Sequence, residues 1–162
     1  MSQGRRSLPL FEGMLRADPS TRWKIEQARQ RLGGRVRGNE RTGAIVTVMT
    51  PDGLGETGVV LYEGEGEVDV WRLGDRVRRT SPTNVLDRHD ATVDPKILAV
   101  SADARVFATL EEGMTVRFLH PSGQGERATL FEKCRYGALV ARDDGSVLAV
   151  GFRRLMPLAA EA

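Results

Sequence analysis

One cysteine, two histidines and three lysines in 162 residues leave little material for the commoner kinds of chemistry. With Cys134 alone, no intrachain disulfide can form and no cysteine cage can hold a metal, and the expected setting is a reducing, cytoplasmic one. Its neighbours Lys133 and Arg135 would favour a thiolate, but no histidine stands near it in sequence, so a structural thiol is expected. His89 lies between aspartates, and neither it nor His120 has a second histidine or cysteine at ligand spacing. The longest aliphatic run, Ile97 to Val100, is far too short to cross a bilayer. Arg5-Arg6 is followed by no apolar stretch of signal-peptide length, so no membrane partner is expected. Gly53-x-Gly55 opens no helix and so lacks the context of a nucleotide-phosphate loop. Glu63, Glu65, Glu67 and Asp69 alternate as carboxylates on one strand face would, and exposed edge-strand charge is the expected reading. The sequence therefore predicts a non-enzymatic protein with no cofactor and no catalytic residues.

The charge that is present is unevenly placed. Residues 1–41 carry ten Lys/Arg against four Asp/Glu, residues 42–93 five against nine, and residues 94–162 nine against nine. The surplus thus sits at the N-terminal end. Arg outnumbers Lys 21 to 3, which suits bidentate contacts to phosphate or carboxylate, although a GC-rich genome produces the same preference.

Sliding the chain by 70 positions aligns residues 35–87 with 105–157 without a gap and gives eleven identities. They are Arg35/Arg105, Val36/Val106, Gly43/Gly113, Val46/Val116, Pro51/Pro121, Gly53/Gly123, Gly55/Gly125, Glu56/Glu126, Val70/Val140, Arg72/Arg142 and Val77/Val147. The shared Pro-x-Gly-x-Gly-Glu is turn chemistry set between strand-like runs. Four or five short strands in about 50 residues read as a small β-barrel. The expected fold is mainly β: two tandem small barrels from an internal repeat, preceded by one α-helix. Asp18-Pro19-Ser20 caps that helix, Ile25, Ala28 and Leu32 form its apolar stripe, and Gly33-Gly34 ends it. Trp23 falls on its opposite side. The predicted boundaries are an arm and helix at 1–34, a first barrel at 35–90, a linker or shared strand at 91–104, a second barrel at 105–158 and a tail at 159–162. Ile97 to Ser101 and Arg105 to Leu110 read as strands.

The run from Leu61 through Glu63-Gly-Glu-Gly-Glu67 to Val77-Arg-Arg79 resembles the C-terminal barrel of retroviral-type integrases. The second unit's opening, Gly113 to Gly125, is similar to KOW and CarD-type modules, and the repeat as a whole resembles SH3-like (Tudor-like) barrels. That resemblance implies a fold and a binding role. With the basic arm, it implies an adaptor that contacts nucleic acid or a nucleic-acid machine such as RNA polymerase. A protein–protein interaction module without nucleic acid stands beside it. Arg37-x-x-x-Arg41 resembles the opening motif of PilZ domains, which would imply a cyclic di-GMP receptor, but that family's Asp/Asn-x-Ser-x-x-Gly is replaced by Glu132-Lys-Cys-Arg-Tyr-Gly137.

The candidate binding residues are the arm's Arg22, Lys24, Arg29, Arg31, Arg35, Arg37 and Arg41, together with Tyr62, Trp71, Arg76, Arg78 and Arg79. Strand alternation turns Val68 and Val70 inward and Asp69 and Trp71 outward. Trp71 is thereby either a stacking platform or a residue packed under another element.

Overall fold

A computed structural model describes residues 19–36, 41–87 and 93–158, the side chains of residues 19–22 and 87 excepted. Its elements run α1 (Pro19–Arg31), β1 (Ile45–Met49), β2 (Gly55–Gly64), β3 (Glu67–Arg72), β4 (Arg76–Thr80), β5 (Val85–Asp87), α2 (Pro95–Thr109), β6 (Thr115–Leu119), β7 (Gly125–Lys133), β8 (Gly137–Ala141), β9 (Val147–Gly151) and β10 (Leu155–Pro157). The strands make two separate five-stranded antiparallel sheets, ordered β4-β3-β2-β1-β5 and β9-β8-β7-β6-β10. The protein is therefore mainly β, with an N-terminal helix and two barrel-like units. Among the described residues, no helix is long and apolar enough to cross a membrane.

The duplication is legible in detail. Each sheet has the same strand order, and each has a β-bulge on its second strand, between Val60 and Tyr62 and between Leu130 and Glu132, which is an offset of 70. A 3-10 turn precedes the last strand in both, at Pro82–Asn84 and Phe152–Arg154. Gly43 and Gly113 stand at φ +97 and +95, a region closed to most residues, and donate to Val60 O and Leu130 O at 2.8 and 2.7 Å. The Pro-x-Gly loops close alike: Gly53 N donates to Thr50 O and Gly123 N to His120 O. The shared acid and base pair with each other, Arg72 Nη1 donating to Glu56 at 2.8 Å and Arg142 Nε to Glu126 at 2.7 Å. Two identities are not equivalents. Arg35 lies in a β-bridge with Cys134, whereas Arg105 and Val106 lie in α2, so the structural repeat begins at Gly43/Gly113.

The segment expected to be two strands is instead one helix. Asp94 Oδ1 accepts from Lys96 N at 2.8 Å and Pro95 opens the first turn, which is the same Asp-Pro start that precedes α1 in the sequence. Ile97, Val100, Ser101, Ala104 and Phe107 form its buried stripe at 3.6-residue spacing. No strand of this segment is shared between the sheets.

The described residues divide into two compact units: one within 38–108, the other formed by those before 38 together with those from 109 onward. In the first, Val46, Val48, Val60, Val68 and Val70 fill the inner face of the sheet. There α2 closes over Gly43, whose carbonyl accepts from Ser101 Oγ at 2.6 Å. A Cβ on Gly43 would lie 2.4 Å from Arg105 Cγ. In the second unit, α1 lies over β8 and β9, with Ile25, Ala28 and Leu32 packed on Cys134, Leu139, Val147 and Ala149. The sequence-predicted stripe of α1 is thus a core face of the second unit.

Candidate functional site

Of the arm's described basic candidates, Arg29, Arg35 and Arg41 have acidic partners within the fold. Arg29 holds Glu132 through Nε and Nη2, the latter at 3.2 Å, and also pairs with Glu26. The hydrogen bond that Arg29 donates to Glu132 raises its guanidinium pKa above the ordinary value. Arg35 bonds Glu112 at 2.8 Å, and Glu112 in turn accepts from Lys133 N. Leu32 O and Gly34 O accept from Tyr136 N and Arg135 N. Residues 29–36 are therefore stitched along the end of β7. Lys24 and Arg31 are exposed and have no carboxylate partner among the described residues. Arg37 and the side chain of Arg22 lie outside the described residues, as does His89.

In the first unit the expected aromatic and basic cluster does not form a platform. Val68 and Val70 do face the core and Asp69 and Trp71 the other side, but all four are buried. Trp71 is 6 % exposed and donates its indole N–H to Asp75 Oδ1 at 2.8 Å, so it offers no ring face for stacking. Alternation gave the direction of these side chains correctly, but β3 is covered on both faces. Tyr62 is half-buried and turned over Gly64, where a Cβ would lie 2.6 Å from its phenolic oxygen. Arg79 bonds the fully buried Asp69 at 2.8 Å and lies 3.3 Å from Glu67. Arg76 is exposed, 3.5 Å from Glu56. Arg78 is half-buried, and its charge helps to hold the Asp52 carboxyl below its usual range, behind the larger effect of hydrogen bonds from Thr50 and Leu54. Arg41 bonds Glu63 at 2.7 Å, so the one described member of the Arg-x-x-x-Arg pair is engaged within the fold.

The alternating carboxylates do not share one strand. The chain reverses at Glu65-Gly66, both at positive φ, leaving Glu63 on β2 and Glu67 and Asp69 on β3. Among the described residues, no three His, Cys, Asp or Glu side chains gather as a metal site would need. Cys134 is buried, and burial pushes its thiol pKa up to about 12, so it stays protonated near neutrality. His120 accompanies Glu126 at 2.9 Å and tilts against Phe118. Arg142, with help from His120, holds the Glu126 carboxyl below its usual range. A half-open groove of about 470 Å³ lies beside α1, lined by Lys24, Ile25, Ala28 and Asp144 to Val147. Asp144 accepts from Ser146 within its own turn, which lowers its carboxyl, and the groove offers no base–nucleophile pair.

Sequence reading passed over the second unit's own arginines. Arg117 on β6, Arg127 on β7 and Arg154 in the turn before β10 are exposed, and none has a carboxylate partner among the described residues. The even charge of residues 94–162 hid them. Their surplus emerges only when Glu126, Glu132 and Glu112 are seen to be engaged by Arg142, Arg29 and Arg35. No protein-family model matches this chain, and no curated protein matches it.

Proposed function

We propose that the protein is a non-enzymatic binding module that engages nucleic acid, alone or within a machine such as RNA polymerase, by contacts to the phosphate backbone. One observation carries this reading: among the described residues, exposed basic side chains without carboxylate partners gather in one unit, at Arg117, Arg127, Arg154, Lys24 and Arg31, against Arg105 and Lys96 in the other. Such groups bind phosphate without reading sequence. The basic stretch of residues 1–41 adds long-range attraction. The resemblance to SH3-like barrels is compatible with this role.

The test is fluorescence anisotropy of labelled duplex DNA and single-stranded RNA with the full chain, across a salt series. Binding that weakens steeply as salt rises is the expected result. No binding of either probe at about 20 mM salt would overturn the reading, because the phosphate term is strongest there.

A protein partner is favoured by a different observation. Both edge strands of the first sheet expose apolar side chains, Val77 on β4 and Leu86 on β5, and an open edge can pair with a partner strand. Loss of a captured partner in a V77K/L86K variant would mark those edges as the interface.

A further inference from the structure

Resting on the reading above, we infer that the uncovered half of the second sheet's outer face, across β10, β6 and β7, is the surface that holds the backbone of a nucleic-acid duplex. Side-chain alternation divides that sheet cleanly. Val116, Phe118, Ala128, Leu130, Ala138 and Val140 are buried and point to one side. Leu139 and Ala141 point to the other, in register with Ala149 and Val147 on β9, and Ala141 is opposite Thr129 on β7. Helix α1 covers this outer face over β8 and β9. Further along the same face, Arg127 lies directly opposite Arg117, and Arg117 directly opposite Met156 of β10. Arg154 stands two residues before Met156. Three strands span about 10 Å, so these guanidinium groups on their long stems can reach neighbouring phosphates.

The repeat supplies an internal control for this face. Offset by 70, the positions of Arg117, Arg127 and Arg154 are Thr47, Thr57 and Asn84 in the first unit, and Met156 matches Leu86. The pairing is the same there, with Thr47 opposite Thr57 and opposite Leu86. One backbone arrangement thus carries no charge at these positions in one copy and, in the other, three positive charges with no carboxylate partner among the described residues. The fold does not need them: directly opposed residues have Cβ atoms about 5 Å apart, and like charges so placed oppose each other. A paired arginine such as Arg142 explains itself by its carboxylate, but Arg117 and Arg127 do not. An external polyanion would complete them. The face carries no aromatic side chain on β6, β7 up to Thr129, or β10, so it cannot stack unpaired bases. It is suited instead to the regular phosphates of a duplex.

The test compares the full chain with R117T/R127T/R154N, which gives the second face the residues of the first, and with a chain lacking residues 1–18. Binding of a labelled 20-base-pair DNA is followed by anisotropy as a function of salt, with a single strand of the same sequence as reference. The face variant should bind the duplex about tenfold or more weakly, with a log–log salt slope shallower by about two to three, one unit for each lost contact. Its melting temperature should equal or exceed that of the wild type, because a like-charge pair has been removed. The truncated chain should retain most of the face-dependent binding. Duplex affinity and slope unchanged in the face variant, or a preference for the single strand, would overturn the inference while leaving nucleic-acid binding in place. Failure of the wild type to bind at all would instead remove the reading on which it rests.

Discussion

Arg29 and Trp71 show how residue chemistry decides between binding and structure. Both are of types that recognise nucleic acid, and both are occupied internally, Arg29 by Glu132 and Trp71 by Asp75. Glu132 is almost fully buried, and that guanidinium is its nearest cation. Replacing Arg29 by alanine leaves the buried Glu132 carboxylate with only the longer ion pair to Arg35, at 3.8 Å, and should cost about 3 kcal/mol, at the lower end for a broken buried pair because Arg29 is part-exposed and Arg35 remains. Urea denaturation would check this. The R29M/E132L double variant should recover most of the loss, since an apolar pair of similar volume removes the stranded charge. The sequence could not distinguish such an arginine from a free one. Arg29 and Glu132 are 103 residues apart, and only the packing of α1 on β8 and β9 brings them together.

At the level of elements, local signals were legible and their partners were not. The turn chemistry of Pro51-x-Gly53 and Pro121-x-Gly123 located both barrels, and the stripe Ile25–Ala28–Leu32 located α1. Yet α1 joins the unit that lies furthest from it along the chain, which no local pattern encodes. The α2 segment differs from the expected strands because Ile97 to Val100 is a continuous apolar run, ambiguous between strand and helix when taken alone. Its start signal, Asp94-Pro95, and the spacing of Ile97, Val100, Ala104 and Phe107 would have resolved it. The cap contributes measurably: Asp94→Ala removes the acceptor for Lys96 N and should lower stability by about 1 kcal/mol, read as a shift in the urea midpoint. Asp94→Ser or Asp94→Asn, which keep a side-chain oxygen at that position, should lose much less.

On the scale of the whole molecule, the two units share a framework and differ at the surface. Both units keep the bulge, the 3-10 turn and the Glu–Arg pair that build the fold. They differ at the outer sheet face, where threonines and asparagine in one stand as arginines in the other. The position of α1 also bears on how the basic arm can be studied. Removing residues 1–41 would strip Ile25 and Leu32 from the second unit's core and expose Leu139 and Cys134, so lost binding would report lost structure. Truncation should therefore stop at residue 18.

On the proposal above, the second unit binds phosphate backbone on a face that the first unit has in neutral form. Amide chemical-shift mapping of the nitrogen-15-labelled full chain, titrated with a short DNA duplex at low salt, tests it most directly. Shifts are expected at Arg117, Arg127, Arg154 and Met156 with Thr47, Thr57, Asn84 and Leu86 unmoved. Shifts confined to the first unit's residues, or none at either face, would contradict it.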